Sequence, residues 1–344
     1  METSSRAYHV YVGTYGTEHD HSLHVLSLQT SNLNLRYLSA VKGIRNPSYL
    51  TVNSTQDVVY ACSEVEDGEV VSYRINEADH KLTEQSRQKT AGNGPCYVTL
   101  STDETHLLTV NYGEGTTTVH QVLKDGSLGL LTDKVVYKQG SHPHTIMSIP
   151  KSKKYVVTDL GLDRLYLYEF NEQQGKLILL YDLKANAKSG PRHIAIADSH
   201  RKIYVVNEFN SKVAVYQYDA SITKLELIQE VRTIPKSFEG VNYAADIHIS
   251  HDMSYLYVSN RGHHSIGICK IDSNGLLTDA ICVFSIGEWP RNFTLIPNEN
   301  LLLVANEHSN TIVLMKIGRD GIPTYTGIEY PIKSPVCLKA LPTI

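Results

Sequence analysis

One histidine, one arginine and one carboxylate stand at related places between Ser141 and Glu208. His144 follows a proline, Arg192 follows another proline 48 residues later, and Glu208 ends an apolar run 16 residues after that. An arginine can hold an anion and stabilise a developing negative charge, and a carboxylate or an imidazole can move a proton. His144, Arg192 and Glu208 are therefore the predicted catalytic residues, provided that the fold brings them together.

These three positions belong to a repeat that runs along the whole chain. Segments of similar pattern begin at seven places, with spacings of 48, 48, 48, 53, 46 and 45 residues: Pro47, Pro95, Pro143, Pro191, Ala244, Pro290 and Pro335. Each of the first six is followed by two alternating runs rich in Val, Ile, Tyr and Thr, then by a turn and a looser fourth run. Four strands in a unit of roughly 45 residues is the pattern of a β-propeller blade.

The two ends of the chain complete each other in this scheme. The seventh unit has only its first strand, 336–341, whereas 8–14, 22–28 and 35–41 match a second, a third and a fourth strand. Closing the ring in this way leaves no open sheet edge at either end. The sequence therefore predicts an all-β fold, a seven-bladed β-propeller with four antiparallel strands per blade, closed by pairing the N- and C-terminal strands in one blade. Residues 1–344 are predicted to form a single domain.

The blade geometry selects two columns of residues that should meet at one mouth of the central channel. In an antiparallel blade the start of the first strand and the end of the second share a rim, and the innermost strands line the channel. The first column holds His144, Arg192 and Arg291, and the second holds Glu208, Arg261 and Glu307. We expect His144, Arg192 and Glu208 to lie close together, with the other three across the mouth as substrate-binding residues.

A plainer interpretation of these charges stays open, because Arg and Glu of neighbouring blades also form ion pairs that only hold blades together. His142 and His193 adjoin the key positions, but strand alternation turns them away from His144 and Arg192. A structural hydrogen bond is the expected role of both histidines.

Three other features lie on or near the same rim. His263 follows Arg261 and is a further candidate for substrate binding, although a turn histidine is the plainer reading. The loop 18–21, Glu-His-Asp-His, lacks a third ligand at metal-binding spacing, and a solvated loop is expected. The extra residues between 233 and 246 join two blades and are interpreted either as a partial lid or as a neutral insertion.

Composition narrows the classes of partner and compartment. The net charge of -4 and the pI of about 6.5 argue against nucleic acid as a partner. The odd number of five cysteines, without a Cys-x-x-Cys pair, indicates free thiols in a reducing compartment. No apolar run approaches the roughly 20 residues that span a bilayer, so no membrane partner is expected and a cytoplasmic location is predicted. The sequence gives no indication of oligomeric state.

The chain resembles the propeller-type 6-phosphogluconolactonases and the related fungal carboxymuconate cyclases. The resemblance covers nearly the whole chain and rests on short motifs in a fixed order, among them 142–144 (His-Pro-His), 190–193 (Gly-Pro-Arg-His), 207–208 (Asn-Glu), 256–263 and 290–293. It implies a seven-bladed propeller with active-site residues at His144, Arg192, Glu208 and Arg261. Glu307 stands where this family often has Gln, which adds a negative charge to the mouth.

The resemblance implies hydrolysis of a small-molecule sugar lactone, with the anionic 6-phosphogluconolactone as the leading candidate and with no cofactor and no metal. Glu208 or His144 would activate water as the general base, Arg192 with Arg261 would stabilise the oxyanion, and Arg291 would contribute to binding. The choice between the two bases stays open at this point. The alternatives are a muconate-type cycloisomerase, a metal-dependent lactonase and a propeller that binds a ligand without catalysis.

Overall fold

The computed structural model describes residues 6–343 as seven four-stranded antiparallel sheets. Each sheet is one blade, and the blades are numbered here in chain order. The predicted seven-bladed propeller is confirmed, with the N- and C-terminal strands paired in blade 7.

The strand bounds follow the predicted repeat. Blade 1 contains β4 (Tyr49–Val52), β5 (Val58–Ser63), β6 (Glu69–Ile75) and β7 (Leu82–Lys89). Blade 2 contains β8 (Pro95–Leu100), β9 (His106–Asn111), β10 (Thr116–Val122) and β11 (Leu128–Val136). Blade 3 contains β12 (Pro143–Ser148), β13 (Lys154–Asp159), β14 (Arg164–Asn171) and β15 (Lys176–Lys184). Blade 4 contains β16 (Pro191–Ala197), β17 (Lys202–Asn207), β18 (Lys212–Tyr218) and β19 (Leu225–Arg232).

Blade 5 contains β20 (Tyr243–Ile249), β21 (Tyr255–Arg261), β22 (Ser265–Lys270) and β23 (Ile281–Phe284). Blade 6 contains β24 (Pro290–Leu295), β25 (Leu301–Asn306), β26 (Thr311–Ile317) and β27 (Pro323–Pro331). Blade 7 contains β28 (Pro335–Pro342), β1 (Ala7–Thr14), β2 (Leu23–Gln29) and β3 (Asn34–Val41), in that spatial order. One turn of 3-10 helix spans Asp198–His200, and within residues 6–343 no helix is long and apolar enough to cross a membrane.

The hydrophobic core lies between the blades. It divides into seven clusters of buried side chains, and each cluster joins two neighbouring sheets, so that every sheet is covered on both faces. The second strands β5, β9, β17 and β25 are accordingly buried at every residue, whereas fourth strands such as β15 are mostly exposed or half-buried. The apolar runs of the second strands therefore come from burial on two faces.

Tyrosines tie three of the blades to the next one at the rim opposite the charged residues. The hydroxyls of Tyr60, Tyr204 and Tyr257 donate to glycine carbonyls in turns of the following blade, each at 2.9 Å. A tyrosine suits this place because its ring fills the apolar space between two sheets while its hydroxyl reaches a backbone acceptor. These contacts account for part of the high tyrosine content.

Candidate active site

A β-bulge sets the direction of the side chain that follows the repeat proline. The pairing of the first strand with the second shifts by one residue at this place in blades 2 to 7. The extra residues include His144 in β12, Arg192 in β16 and Arg291 in β24. A bulge bends the strand and re-aims a side chain without ending the sheet. Repetition of this bulge around the ring supplies the converging side chains that the sequence predicted.

Glu208 forms ion pairs with two arginines at the mouth. Its Oε2 lies 2.9 Å from Arg192 Nε and 2.7 Å from Arg261 Nη2. The backbone of Glu208 is fixed by its N–H, which donates to Gly190 O at 2.7 Å. Gly190 has φ 63°, a conformation that favours glycine, and a Cβ there would meet the ring of Phe209. The predicted proximity of Arg192 and Glu208 is present, whereas Arg261, which was expected across the mouth, contacts Glu208 directly.

Both arginines are also held by backbone carbonyls. Arg192 Nη1 donates to Ala245 O at 2.6 Å, and Arg261 Nε donates to Tyr243 O at 3.2 Å. Among residues 6–343, Arg192 Nη2 and Arg261 Nη1 have no hydrogen-bonding partner. Two donors in fixed orientation thus remain available for a ligand at the mouth.

The charges at this centre act strongly on one another. Burial raises the pKa of Glu208, but Arg261 and Arg192 outweigh burial, and the net pKa lies below the usual value of a glutamate. Burial and the nearby Arg192 lower the pKa of Arg261 to about 10. Glu208 is therefore an ionised carboxylate, and Arg261 remains a cation near neutral pH.

His144 is a buried neutral imidazole beside this centre. Its ring lies edge-on to Tyr112 at 5.8 Å and to His193 at 5.1 Å between ring centroids. Burial is the largest cause that lowers the pKa of His144 well below its usual value, and Arg192 adds to it. Its Nδ1 is buried without a hydrogen-bonding partner among the residues described. His144 can therefore exchange a hydrogen bond with a ligand or a water, but it resists protonation.

From the burial of His193 we predict how the stability of the protein depends on pH. Burial, with a smaller effect of Arg192, lowers the pKa of His193 to about 4, while an unfolded histidine titrates near its usual value of 6.5. Between these values the unfolded chain binds the proton and the native protein does not, so the unfolding free energy should fall as pH falls. The expected slope is up to about 1.4 kcal/mol per pH unit for this histidine. Urea titrations between pH 7 and 4 measure it, and a flat profile would contradict it.

A second group of charges lies on the other side of the mouth. Arg291 Nη2 is 3.7 Å from Glu64 Oε2, which also accepts the Tyr15 hydroxyl at 3.1 Å. The Arg291 guanidinium lies 5.2 Å from the centroid of the Tyr15 ring. Burial lowers the pKa of Arg291, but Tyr15, Glu64 and Glu307 outweigh burial and raise it above its usual value. Glu307 Oε2 is buried without a hydrogen-bonding partner among the residues described. The structure thus brings Arg291 and Glu307 together with Glu64 and Tyr15.

Asp246 is a buried carboxylate beneath the site that the sequence did not single out. Its Oδ1 accepts from His193 Nδ1 at 2.7 Å, and its Oδ2 accepts from Asn292 Nδ2 at 2.6 Å and from His248 Nε2 at 3.0 Å. Asn292 in turn accepts from the backbone of Leu338 at 2.6 Å. Asp246 therefore links the inner strands of blades 4, 5 and 6, and Asn292 extends the link to blade 7.

The other predicted histidines have separate places. His142 Nδ1 donates to Tyr112 O at 2.8 Å and its ring stacks on Tyr112, which confirms the expected structural hydrogen bond. The expected bond of His193 is the one to Asp246, although its ring also contacts His144. His263 bonds Ser265 Oγ and lies between Phe238 and Phe284. These contacts place His263 beside the 233–246 insertion, toward the outside of blade 5, apart from the ion pairs of Arg261.

The 18–21 loop is a polar turn on the surface. Asp20 Oδ2 accepts from the backbone N–H and the hydroxyl of Thr17, both at 2.9 Å, and the His19 side chain is 89% exposed. Within residues 6–343, no group of three His, Cys, Asp or Glu residues is placed to hold a metal ion.

Comparison with known proteins agrees with this architecture. The family described as "Lactonase, 7-bladed beta-propeller" matches residues 9–340. A 6-phosphogluconolactonase of Bacillus subtilis is 29% identical over 96% of this chain and 97% of its own.

Two solved structures extend the comparison. A periplasmic gluconolactonase of Pseudomonas aeruginosa is 25% identical with a TM-score of 0.91, covering 97% of this chain and 99% of that one. A candidate 6-phosphogluconolactonase of Bacteroides fragilis is 28% identical with a TM-score of 0.90, covering 99% of both chains. With the family match spanning almost every blade, this chain belongs to the lactonase family of seven-bladed β-propellers.

Proposed function

We propose that this protein hydrolyses a sugar lactone and that its substrate is 6-phosphogluconolactone, which it opens to 6-phosphogluconate. The observation that carries the proposal is the ionised Glu208 held between two arginines at the channel mouth, next to the neutral His144. The name of the relative from Bacillus subtilis supports the choice of substrate. The catalytic residues in this proposal are His144, Arg192, Glu208 and Arg261.

Glu208 serves as the general base. Both arginines contact its Oε2. No hydrogen bond within residues 6–343 occupies its Oε1, so Oε1 can accept a proton from water. Its ionised form is retained well into the acid range because the two guanidinium groups lower its pKa. His144 is the weaker candidate, because its protonation would place a cation beside Arg192. In this proposal neutral His144 orients the attacking water.

The reaction then proceeds through a tetrahedral intermediate. The water oxygen bonds to the lactone carbonyl carbon while its proton passes to Glu208, and the carbonyl oxygen becomes an oxyanion. The free Nη2 of Arg192 and Nη1 of Arg261 stabilise this oxyanion. The bond from the carbonyl carbon to the ring oxygen breaks, and the ring oxygen takes the proton from Glu208. The products are a carboxylate and an alcohol in one open chain, after one proton is released to solvent.

The proposal is tested by the rate of 6-phosphogluconolactone hydrolysis, corrected for the spontaneous reaction, with excess chelator present. The wild-type protein is expected to accelerate hydrolysis, and Arg192→Gln is expected to lower kcat by about 10²-fold because one oxyanion donor is lost. Arg319→Gln, an exposed arginine of the β26–β27 turn at the opposite rim, is the matched control. No acceleration by the wild-type protein, or full activity in Arg192→Gln, would refute the assignment.

The state of the cysteines supports the proposal that this reaction takes place in the reducing cytoplasm. All five cysteines are free, and four of them are buried. Burial raises the pKa of the Cys96 thiol well above its usual value, which keeps that thiol protonated and unreactive.

A further inference from the structure

The mouth of the channel carries its charges unevenly. On the side of blades 4 and 5, Arg192 and Arg261 share the single carboxylate of Glu208. On the opposite side, Arg291 faces both Glu64 and Glu307. One side therefore has an excess of positive charge and the other an excess of carboxylate.

A cavity of about 390 Å³ opens beside the positive side, between blades 4 and 5. Its lining includes Phe209, Arg232, Phe238 and Tyr243. Tyr243 is shared with the active site, because its ring centroid lies 6.0 Å from the Arg261 guanidinium carbon. The cavity thus adjoins Arg261 through the ring of Tyr243.

The insertion between blades 4 and 5 builds the outer wall of this cavity. The spacing of 53 residues at this junction, against 48 in the preceding repeats, supplies the segment from Phe238 to Tyr243. This segment packs against the turn after Arg261, where Gly262 has φ 112° and a Cβ would lie 2.1 Å from Val241 O. The wall is therefore fixed to the strand that carries Arg261.

Arg232 is the cation that this cavity offers to a ligand. It is exposed at the end of β19, and no carboxylate among residues 6–343 lies within ion-pair distance of it. Glu230, two residues earlier, is 3.0 Å from Lys212 Nζ. The exposed Lys236 and Glu239 of the insertion do not line the cavity, and their charges oppose each other.

The groups of a six-membered sugar lactone are arranged in a way that matches the positive side and the carboxylate side of the mouth. The carbonyl carbon and the carbon that bears the side arm both flank the ring oxygen, while the hydroxyl-bearing carbons form the opposite edge. If the carbonyl binds at Arg192 and Arg261, the hydroxyls would face the carboxylates of Glu64 and Glu307, and the arm would point to the side of blades 4 and 5. We infer that the cavity between these blades binds a phosphate ester on this arm, with Arg232 as its cation.

This assignment rests on the proposed function and adds a specificity-determining residue to it. A guanidinium binds a phosphate through parallel N–H donors and opposite charge, whereas an unphosphorylated arm offers it a hydroxyl that carries no negative charge. Arg232 should therefore decide how strongly the protein prefers a phosphorylated substrate over an unphosphorylated one. The catalytic residues are the same for both.

The test compares the binding of 6-phosphogluconate and gluconate by calorimetry at fixed ionic strength. We expect the wild-type protein to bind the phosphorylated acid roughly tenfold more tightly, and Arg232→Gln to abolish most of this preference. Arg319→Gln, at the opposite rim, should retain the preference. The same three proteins are assayed on 6-phosphogluconolactone and gluconolactone, and the ratio of the two kcat/KM values should follow the binding preference.

Each outcome separates this inference from the proposed function. Equal binding of the two acids by the wild-type protein, an unchanged preference in Arg232→Gln, or an equal loss in Arg319→Gln would overturn the role of Arg232. If neither lactone is hydrolysed but an Arg232-dependent preference for 6-phosphogluconate exists, the proposed function fails and the phosphate site stands. If both lactones are hydrolysed and Arg232→Gln changes nothing, the function stands and the phosphate site fails.

Discussion

Glu208→Gln is expected to lower kcat for lactone hydrolysis by about 10³-fold, within the range for loss of a general base. The amide has nearly the same shape as the carboxylate, but it cannot take a proton from water. It also leaves Arg192 and Arg261 without the negative charge that they share. Initial rates of 6-phosphogluconolactone hydrolysis, corrected for the spontaneous rate, measure the effect, and circular dichroism shows whether the variant is folded.

Two companion variants show whether Glu208 is the base. Glu239→Gln removes an exposed glutamate from the 233–246 insertion and controls for the loss of one negative charge near the mouth. His144→Gln should lower kcat only about tenfold, since His144 orients water in this mechanism. A loss of about 10³-fold in His144→Gln with less than tenfold loss in Glu208→Gln would transfer the role of base to His144.

Asp246→Ala is expected to lower the free energy of unfolding by about 3–5 kcal/mol. The carboxylate is 3% exposed and ionised, because His248 and His193 outweigh the effect of burial and hold its pKa below the usual value of an aspartate. Its removal leaves the buried donors of His193, Asn292 and two backbone N–H groups without their acceptor. Unpaired buried donors are costly because no water replaces the lost partner. Urea or guanidinium unfolding, followed by circular dichroism, measures the change.

Asp279→Ala is the matched control for this experiment. Asp279 belongs to the same blade, is exposed, and forms no ion pair or hydrogen bond within the described residues, so a change below about 0.5 kcal/mol is expected. If Asp246→Ala does not fold, Asp246→Asn keeps the shape and one acceptor and should show a smaller loss in the same direction. A loss in Asp246→Asn no greater than in Asp279→Ala would show that this carboxylate does not hold the blades together.

The propeller could be predicted from the sequence because each blade repeats the same physical solution. Buried second strands read as short apolar runs, and turns with Gly, Asn or Asp separate them at a nearly constant spacing. The pairing of β28 with β1 followed from counting the strands at each end, and the register of Tyr8 with Pro342 confirms it. The strand pattern within each blade and the closure of the ring by β28 and β1 agree, which is typical of a repeat protein.

The ion pair of Arg192 with Glu208 was predictable for the same reason, whereas the position of Arg261 and the lower layer of the site were not. The repeat placed Arg261 across the mouth, but its side chain reaches Glu208 directly. Asp246 follows the repeat position by one residue, in the one unit that begins with alanine instead of proline. Only the bulge in β20 turns it toward His193, and a bulge leaves no clear mark in the sequence. His263 shares the rim of Arg261, but the repeat does not fix the distance of a turn residue from the axis.

The recurring bulge separates the side chains that can vary from the strand pairing that holds each blade together. The side chain at the bulge faces the channel mouth, while the ladder on both sides of it carries the pairing that holds the blade. Three bulges carry His144, Arg192 and Arg291, and three others carry small or apolar residues, Cys96, Ala245 and Val336. The residue at a bulge can therefore change while the strand pairing of the blade is kept. A single substitution at Cys96, Ala245 or Val336 would add a new side chain at the mouth without altering the scaffold.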